Sequence, residues 1–142
     1  MSPKSGKKQK HNNKKPLIDG IKFDSQAEGA RWLVLRQQEK IGRIKDLQRQ
    51  VSFDVVVNGF KVCKYTADFV YMAGGKQIVE DFKGMIDNRF KLVYKMVYAA
   101  LGIKILITQA VYKQKNNVKF IAGFVEKELR LPKEVKKGNK KK

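Results

Sequence analysis

The chain has 142 residues, with 32 Lys and Arg against 13 Asp and Glu, which gives a formal net charge of +19. This length fits one domain, no apolar run is long enough to span a bilayer, and no apolar stretch follows the basic N-terminus as in a secretory signal. One cysteine (Cys63) excludes an internal disulfide and a multi-cysteine zinc site, and one histidine (His11) argues against a histidine cluster. The strongly basic charge predicts a polyanionic partner, most simply nucleic acid, and we expect a cytoplasmic protein.

Both ends of the chain are strongly basic. Residues 1–16 contain six lysines and no acid, and residues 132–142 contain six lysines and one glutamate. Segments with so few apolar residues cannot bury enough surface to fold, so we predict two disordered tails that contact phosphates without reading sequence. The folded domain is predicted to span residues 17–131.

The first predicted elements are a short extended segment over residues 21–23 and an amphipathic helix over residues 25–41. Ser25, followed three residues later by Glu28, has the pattern of a capping box at the start of the helix. Apolar residues then recur at helical spacing as far as Ile41, and Gly42 suits the C-terminal end.

The hydrophobic period then changes to that of strands. Residues 51–57 form the first strand, and Asn58-Gly59 predicts a tight hairpin turn because both residues tolerate positive φ. The second strand covers residues 60–71, and its length predicts a bend or bulge. A turn at residues 73–76 leads into the third strand at 77–82.

A second helix runs from about Phe90 to Gly102, followed by an apolar strand at residues 103–108 and a further strand at 118–124. Residues 126–131 receive no firm assignment. A meander followed by a helical crossover predicts an α/β fold, with a mixed central β-sheet (antiparallel meander plus crossover strand) and a helix on each face.

The few acidic residues are placed informatively. Asp68 interrupts an apolar strand, and Asp81 and Lys83 share one face of the next strand, because side chains alternate along a strand. The hairpin brings Asp68 and Asp81 together, and two close carboxylates repel unless a divalent cation such as Mg²⁺ or Mn²⁺ lies between them. The alternative is that Asp68 caps a strand end and Asp81 and Lys83 form a surface ion pair. Glu80 faces the other way, so we assign it a structural role unless a bulge shifts the register.

The segment Asp68…Asp81-Phe82-Lys83 resembles the signature of the PD-(D/E)xK nuclease superfamily, with Ala67 in place of the proline. The predicted order of elements is similar to the restriction-endonuclease-like core of that superfamily. Three motifs in order also resemble a small phage group of largely unknown function, related to phage endonucleases that resolve branched DNA: Ser25-x-x-Glu28, Leu47-Gln48-Arg49-Gln50 before a strand, and Tyr65-Thr66-Ala67-Asp68-Phe69. They are similar as well to the endonuclease subunit of some cut-and-paste transposases. The resemblance spans about residues 20–109.

This resemblance implies a Mg²⁺-dependent DNA endonuclease that hydrolyses phosphodiester bonds in branched DNA, such as a Holliday junction, or in recombination intermediates. Asp68 and Asp81 would be metal ligands together with the backbone carbonyl of Phe82, and Lys83 would position the attacking water. Glu28 would bind or orient a second ion or its water, although the capping box also accounts for it. A homodimer is expected, because two sites are needed to cut both strands.

Three further polar residues are candidates for contacting nucleic acid: Lys91 and Lys95, four residues apart on the second helix, and Gln109, after the buried strand. A solvated helix face and a polar strand end are the alternatives. The rival function is a non-catalytic basic nucleic-acid-binding protein, which explains the tails but leaves Asp68, Asp81 and Lys83 unexplained.

Overall fold

A computed structural model describes residues 15–135 of the chain. Most of both predicted basic tails, residues 1–14 and 136–142, lies outside the described residues. The carbonyl of Pro16 accepts a hydrogen bond from the backbone N–H of Phe23, so the domain begins slightly before residue 17. Between residues 15 and 135, no helix is long and apolar enough to cross a membrane.

The described chain forms a mixed α/β fold, which confirms the prediction. Its elements in chain order are β1 Leu17–Ile18, β2 Ile21–Lys22, α1 Gln26–Lys40, β3 Lys45–Val57, β4 Phe60–Ala73, β5 Lys76–Phe82, α2 Asn88–Leu101, β6 Leu106–Lys115 and β7 Val118–Lys127. The central sheet has the order β3-β4-β5-β6-β7, with β5 and β6 parallel and all other neighbours antiparallel. Strands β1 and β2 form a separate small hairpin.

The two helices pack on opposite faces of the sheet, as predicted. Helix α1 contributes Trp32 and Leu35 to one hydrophobic cluster, together with Phe69 of β4. Helix α2 contributes Tyr94 to the other cluster, which includes Val70 of β4. Phe69 and Val70 are adjacent and face opposite ways, so β4 is buried on both sides.

Capping and turn residues set several boundaries at or close to the predicted positions. The side chain of Ser25 caps α1, and that of Asp87 caps α2. Asn58 and Gly59 both have positive φ, of 51° and 81°, in the predicted hairpin turn. Gly102 ends α2 in the left-handed conformation, where a residue with a Cβ is strained.

Three strand predictions were wrong in extent by more than two residues. Strand β3 begins at Lys45 rather than at residue 51; residues 45–50 contain one apolar residue, Leu47, so the apolar–polar alternation that marks a strand in a sequence is missing there. The strand predicted at 103–108 is β6, Leu106–Lys115; Ile105 is apolar because it packs beneath α2 from the preceding loop. Strand β7 likewise extends beyond residue 124, to Lys127.

The central strand β5 is shorter than its neighbours, so the sheet divides into two arms at one end. Pairing of β4 with β5 stops at Phe69 and Glu80, and pairing of β5 with β6 stops at Phe82 and Thr108. Past these points the β3–β4 arm (residues 51–67) and the β6–β7 arm (residues 109–125) each pair only internally. Strand directions place both arms beyond the C-terminal end of β5.

Candidate active site

A cleft of about 1030 Å³ lies between the two arms. Residues 81–84, at the end of β5, form its floor, and residues 64–66 of the β3–β4 arm form one wall. Ala110 and Tyr112 of the β6–β7 arm form the opposite wall, and the first turns of both helices complete the rim. The shortness of β5 therefore exposes the predicted motif at the bottom of a cleft.

Asp68 lies at the point where β4 and β5 separate. Its Oδ2 accepts a hydrogen bond of 2.9 Å from the backbone N–H of Phe82, and its Oδ1 accepts one of 3.2 Å from Nε2 of Gln50. Gln50 has a φ of 52°. Arg49 pairs with Phe69 and Val51 pairs with Ala67, but Gln50 and Asp68, which lie between these pairs, are not in the register of β3 and β4. A matched irregularity in the two strands thus turns Asp68 towards β5.

Asp81 is almost fully buried on the cleft floor. Its Oδ2 accepts a hydrogen bond of 3.1 Å from the hydroxyl of Tyr65 and lies 3.6 Å from Nζ of Lys83. The pKa of Asp81 is raised to about 8, chiefly by burial and then by the adjoining carboxyl group of Asp68, whereas Lys83 and Tyr65 act in the opposite direction. The predicted approach of Asp68 and Asp81 is present in the fold.

Glu28 reaches the same carboxyl group from the first turn of α1. Its backbone N–H donates the capping hydrogen bond of 3.1 Å to Oγ of Ser25, and its side chain lines the same cleft as Asp68. Burial raises the pKa of Glu28 to about 7, with contributions from the charges of Asp68 and Asp24, while Arg49 opposes the shift. The cap uses the backbone of Glu28, so its carboxyl group is available to the cleft.

Lys83 is half-buried beside these carboxyl groups. Its ammonium lies 3.6 Å from Oδ2 of Asp81 and 4.3 Å from the centroid of the Phe90 ring. Its backbone N–H donates to the carbonyl of Thr108 at 2.9 Å, which fixes the residue beyond the end of β5. A cation–π contact and an ion pair therefore hold the ammonium at the floor.

Glu80 lies on the opposite face of β5 and is fully buried. Arg31 of α1 binds it in a bidentate manner, at 2.7 and 2.8 Å, and Tyr71 and Thr108 donate hydrogen bonds of 2.7 and 3.0 Å. Burial disfavours the charged form of Arg31, but the hydrogen bonds and charge of Glu80 outweigh this and raise the pKa of Arg31. This network connects α1, β4, β5 and β6 behind the cleft.

The three residues that were predicted to contact nucleic acid lie outside the cleft. Lys91 and Lys95 are exposed on α2, Gln109 is half-buried in β6, and none of the three lines the cleft. Sequence reasoning missed Arg89 and Tyr112, which do line it. The predicted strand ended at residue 108, so Tyr112 fell outside any element, and Arg89 had no signal beyond its place at the start of α2.

The oxygen atoms of Asp68, Asp81 and the Phe82 carbonyl are the kind of ligand that a hard divalent cation prefers. Between residues 15 and 135, no group of three or more His, Cys, Asp or Glu side chains is arranged to hold a metal ion. Mg²⁺ commonly needs only one or two carboxylates, since water and substrate phosphate complete its octahedron. Asp68 and Asp81 supply two carboxylates whose mutual repulsion a cation would relieve, and the Phe82 carbonyl is adjacent.

The fold and the cleft define an α/β domain whose central strand carries buried acids and a lysine. A family model described as "Protein of unknown function (DUF1064)" matches residues 8–117, and the chain belongs to this family. The matched region contains Glu28, Asp68, Asp81 and Lys83. No curated protein and no solved structure matches the chain.

Proposed function

We propose that the protein is a metal-dependent DNA endonuclease with a restriction-endonuclease-like core, which hydrolyses phosphodiester bonds in branched DNA or recombination intermediates. The observation that carries the proposal is the meeting of four side chains on one cleft floor. Glu28, Asp68 and Asp81 come from three different elements, and the ammonium of Lys83 lies beside them.

The position of the acids favours catalysis over binding alone. A protein that only held nucleic acid would keep carboxylates away from its phosphate-binding surface, because like charges weaken binding. In this domain Asp81 and Glu28 are instead buried in the lining of the cleft, where burial and the neighbouring carboxyl group of Asp68 disfavour their ionisation. A bound cation reverses the sign of that local charge and makes the same floor attractive to a phosphate.

Asp68, Asp81 and the carbonyl of Phe82 would hold Mg²⁺ or Mn²⁺. When bound, such an ion supplies Lewis acidity to the scissile phosphate and lowers the pKa of its water. Lys83 orients the nucleophile and neutralises charge that develops on the phosphate. The carboxylate of Glu28 accepts hydrogen bonds from water on the same floor and orients it.

Basic residues flank the floor on both sides and supply the contacts for the DNA backbone. Lys64 lines one wall of the cleft and Arg89 its rim, and the β6–β7 arm carries further lysines. Lys91, Lys95 and Gln109 would contribute only contacts outside the cleft. A homodimer would present two such clefts and cut both strands.

The test is cleavage of a four-way junction and of linear duplex in Mg²⁺, Mn²⁺ or EDTA. We expect cutting that requires the metal and disappears in Asp81→Ala, with DNA binding in EDTA retained. Asp54→Asn is the matched control, since Asp54 is an exposed acid of β3 paired with Lys61. Tight binding by a folded protein that cuts neither DNA in any divalent metal supports the rival, non-catalytic function and overturns the proposal.

A further inference from the structure

We propose that Tyr112 and Lys119, on the β6–β7 arm, form a subsite for an unpaired nucleotide on the wall of the cleft beyond the candidate catalytic residues. The substrate class is then DNA that carries a single-stranded segment, such as a flap or the open centre of a branch. The inference rests on the proposed function for the cleavage that it directs, but the binding that it describes can be measured without cleavage.

The register places this subsite beyond the candidate active site on the same cleft. Thr108 of β6 pairs with Phe82 on the floor, and Tyr112 lies four residues further along the same strand. At the rise of a β-strand this corresponds to about 13 Å from the level of the floor. Tyr112 lines the cleft together with Asp81 and Lys83.

The Tyr112 ring is available to a ligand. Its side chain belongs to the wall of the cleft, and the residue is 48% exposed, so it is not part of either hydrophobic cluster. The ammonium of Lys119, from the paired strand, lies 4.4 Å from the ring centroid. The Tyr112 side chain offers an aromatic surface, and the Lys119 side chain places a positive charge over one face of the ring.

This pair matches the chemistry of a single-stranded nucleotide. Bases stack on aromatic side chains whatever their sequence, and a neighbouring cation binds the phosphate that follows. A base inside a duplex has both faces covered by its neighbours, so an isolated aromatic ring selects bases that are unpaired. The outer part of the arm, residues 110–121, carries three lysines and no acid, which suits a polyanionic strand.

Phe120 provides a control within the same hairpin. It pairs with Lys113, one position from the pair of Tyr112 with Ile121, so its side chain lies on the opposite face of the arm. Phe120 is 43% exposed, close to the value for Tyr112, and it does not line the cleft. The two aromatic residues therefore differ mainly in the face that they occupy.

The experiment compares binding of a flapped duplex with that of the fully paired duplex of the same sequence, in EDTA, for wild type, Tyr112→Ala, Tyr112→Phe, Lys119→Gln and Phe120→Ala. The flap contains 2-aminopurine, whose fluorescence is quenched on stacking. We expect Tyr112→Ala to weaken flap binding roughly tenfold and to abolish quenching, with duplex binding unchanged. Tyr112→Phe and Phe120→Ala should behave as wild type, and Lys119→Gln should reduce the salt dependence.

Equal flap binding by wild type and Tyr112→Ala overturns the inference, as does an equal loss in Tyr112→Ala and Phe120→Ala. The two proposals fail in different ways. If the flap fluorescence is quenched in a Tyr112-dependent way but DNA is never cut, the proposed subsite is supported and the proposed nuclease activity is overturned. If wild type and Tyr112→Ala both cut DNA in Mg²⁺ with the same preference for flapped over paired duplex, the nuclease proposal is supported and the subsite is overturned.

Discussion

At the scale of single residues, Asp81 and Glu28 resist ionisation in the folded protein. Their pKa values rise from 3.8 to about 8 and from 4.5 to about 7, chiefly through burial. A carboxyl group with a raised folded-state pKa contributes stability that is complete below its unfolded-state pKa and is lost as pH rises through the folded-state value. The metal-free protein therefore loses stability through these two acids as pH rises from about 4 to about 8, and the loss persists at higher pH.

We predict that Asp81→Asn stabilises the metal-free protein, because the amide has no charge to bury and can still accept the hydrogen bond from Tyr65. In EDTA at about pH 8.5 its Tm should exceed that of wild type by about 3 °C or more, and the difference should shrink at about pH 5. Thermal unfolding followed by circular dichroism at both pH values measures this. A Tm difference that does not change with pH contradicts the explanation.

Lys83 gives a second prediction at this scale. Replacing it with Met keeps the length and the contact with Phe90 but removes the charge beside Asp81. We expect the cleavage rate at saturating Mg²⁺ to fall at least about a hundredfold, because a charge that stabilises the transition state is lost. Affinity for DNA in EDTA should change by much less, and single-turnover kinetics separate the two. If Lys83→Met cleaves DNA at the wild-type rate, Lys83 has no catalytic role.

At the scale of elements, the Glu80 network fixes the carboxylate floor. Arg31 lies one helical turn after Glu28, and Glu80 immediately precedes Asp81, so this ion pair positions α1 against β5. Breaking a buried pair by removing one charge leaves the other unpaired. We predict that Glu80→Gln lowers the free energy of unfolding by about 3 kcal/mol.

The exposed pair of Lys61 with Asp54 serves as the control, with both side chains 57% exposed. Asp54→Asn should change the free energy of unfolding by less than about 1 kcal/mol. Urea denaturation of both variants provides the comparison. Similar values for Glu80→Gln and Asp54→Asn show that the network does not hold the elements together.

Elements with local signals were predictable from the sequence, and those that depend on distant contacts were not. Caps, turns and apolar periods gave both helices, the Asn58-Gly59 hairpin and the mixed sheet. The early part of β3 was hidden because Leu47 is the one apolar residue among residues 45–50, so no apolar alternation marks a strand there. Strand β6 was misplaced because burial of Ile105 imitates a strand.

The residues of the candidate site also differ in how far the sequence alone could predict them. Asp68, Asp81 and Lys83 are recognisable because one hairpin and one strand period determine their relation. The partner of Glu80 is Arg31, 49 residues earlier, and only the packing of α1 on the sheet brings the two together. No spacing in the sequence indicates such a contact.

At the scale of the whole molecule, the charge is concentrated towards the ends. Residues 1–14 contain five lysines and no acid. We predict that removing them weakens DNA binding equally for junction and duplex and makes the dependence of affinity on salt shallower, because fewer counterions are released. Affinity measured over a salt series tests this. A change in preference between the two DNAs shows instead that this segment discriminates between structures.

The joint between the β6–β7 arm and the rest of the sheet has a consequence for motion. Only three register pairs connect β5 to β6, from Glu80–Leu106 to Phe82–Thr108, whereas β3 and β4 are paired over most of their length. Parallel pairing is also less stable per residue than antiparallel pairing. We therefore predict that the arm opens as a unit about residues 106–108, and that its amides nearest this joint exchange with deuterium before those of β4. This wall of the cleft would then be hinged and able to admit a DNA strand from the side.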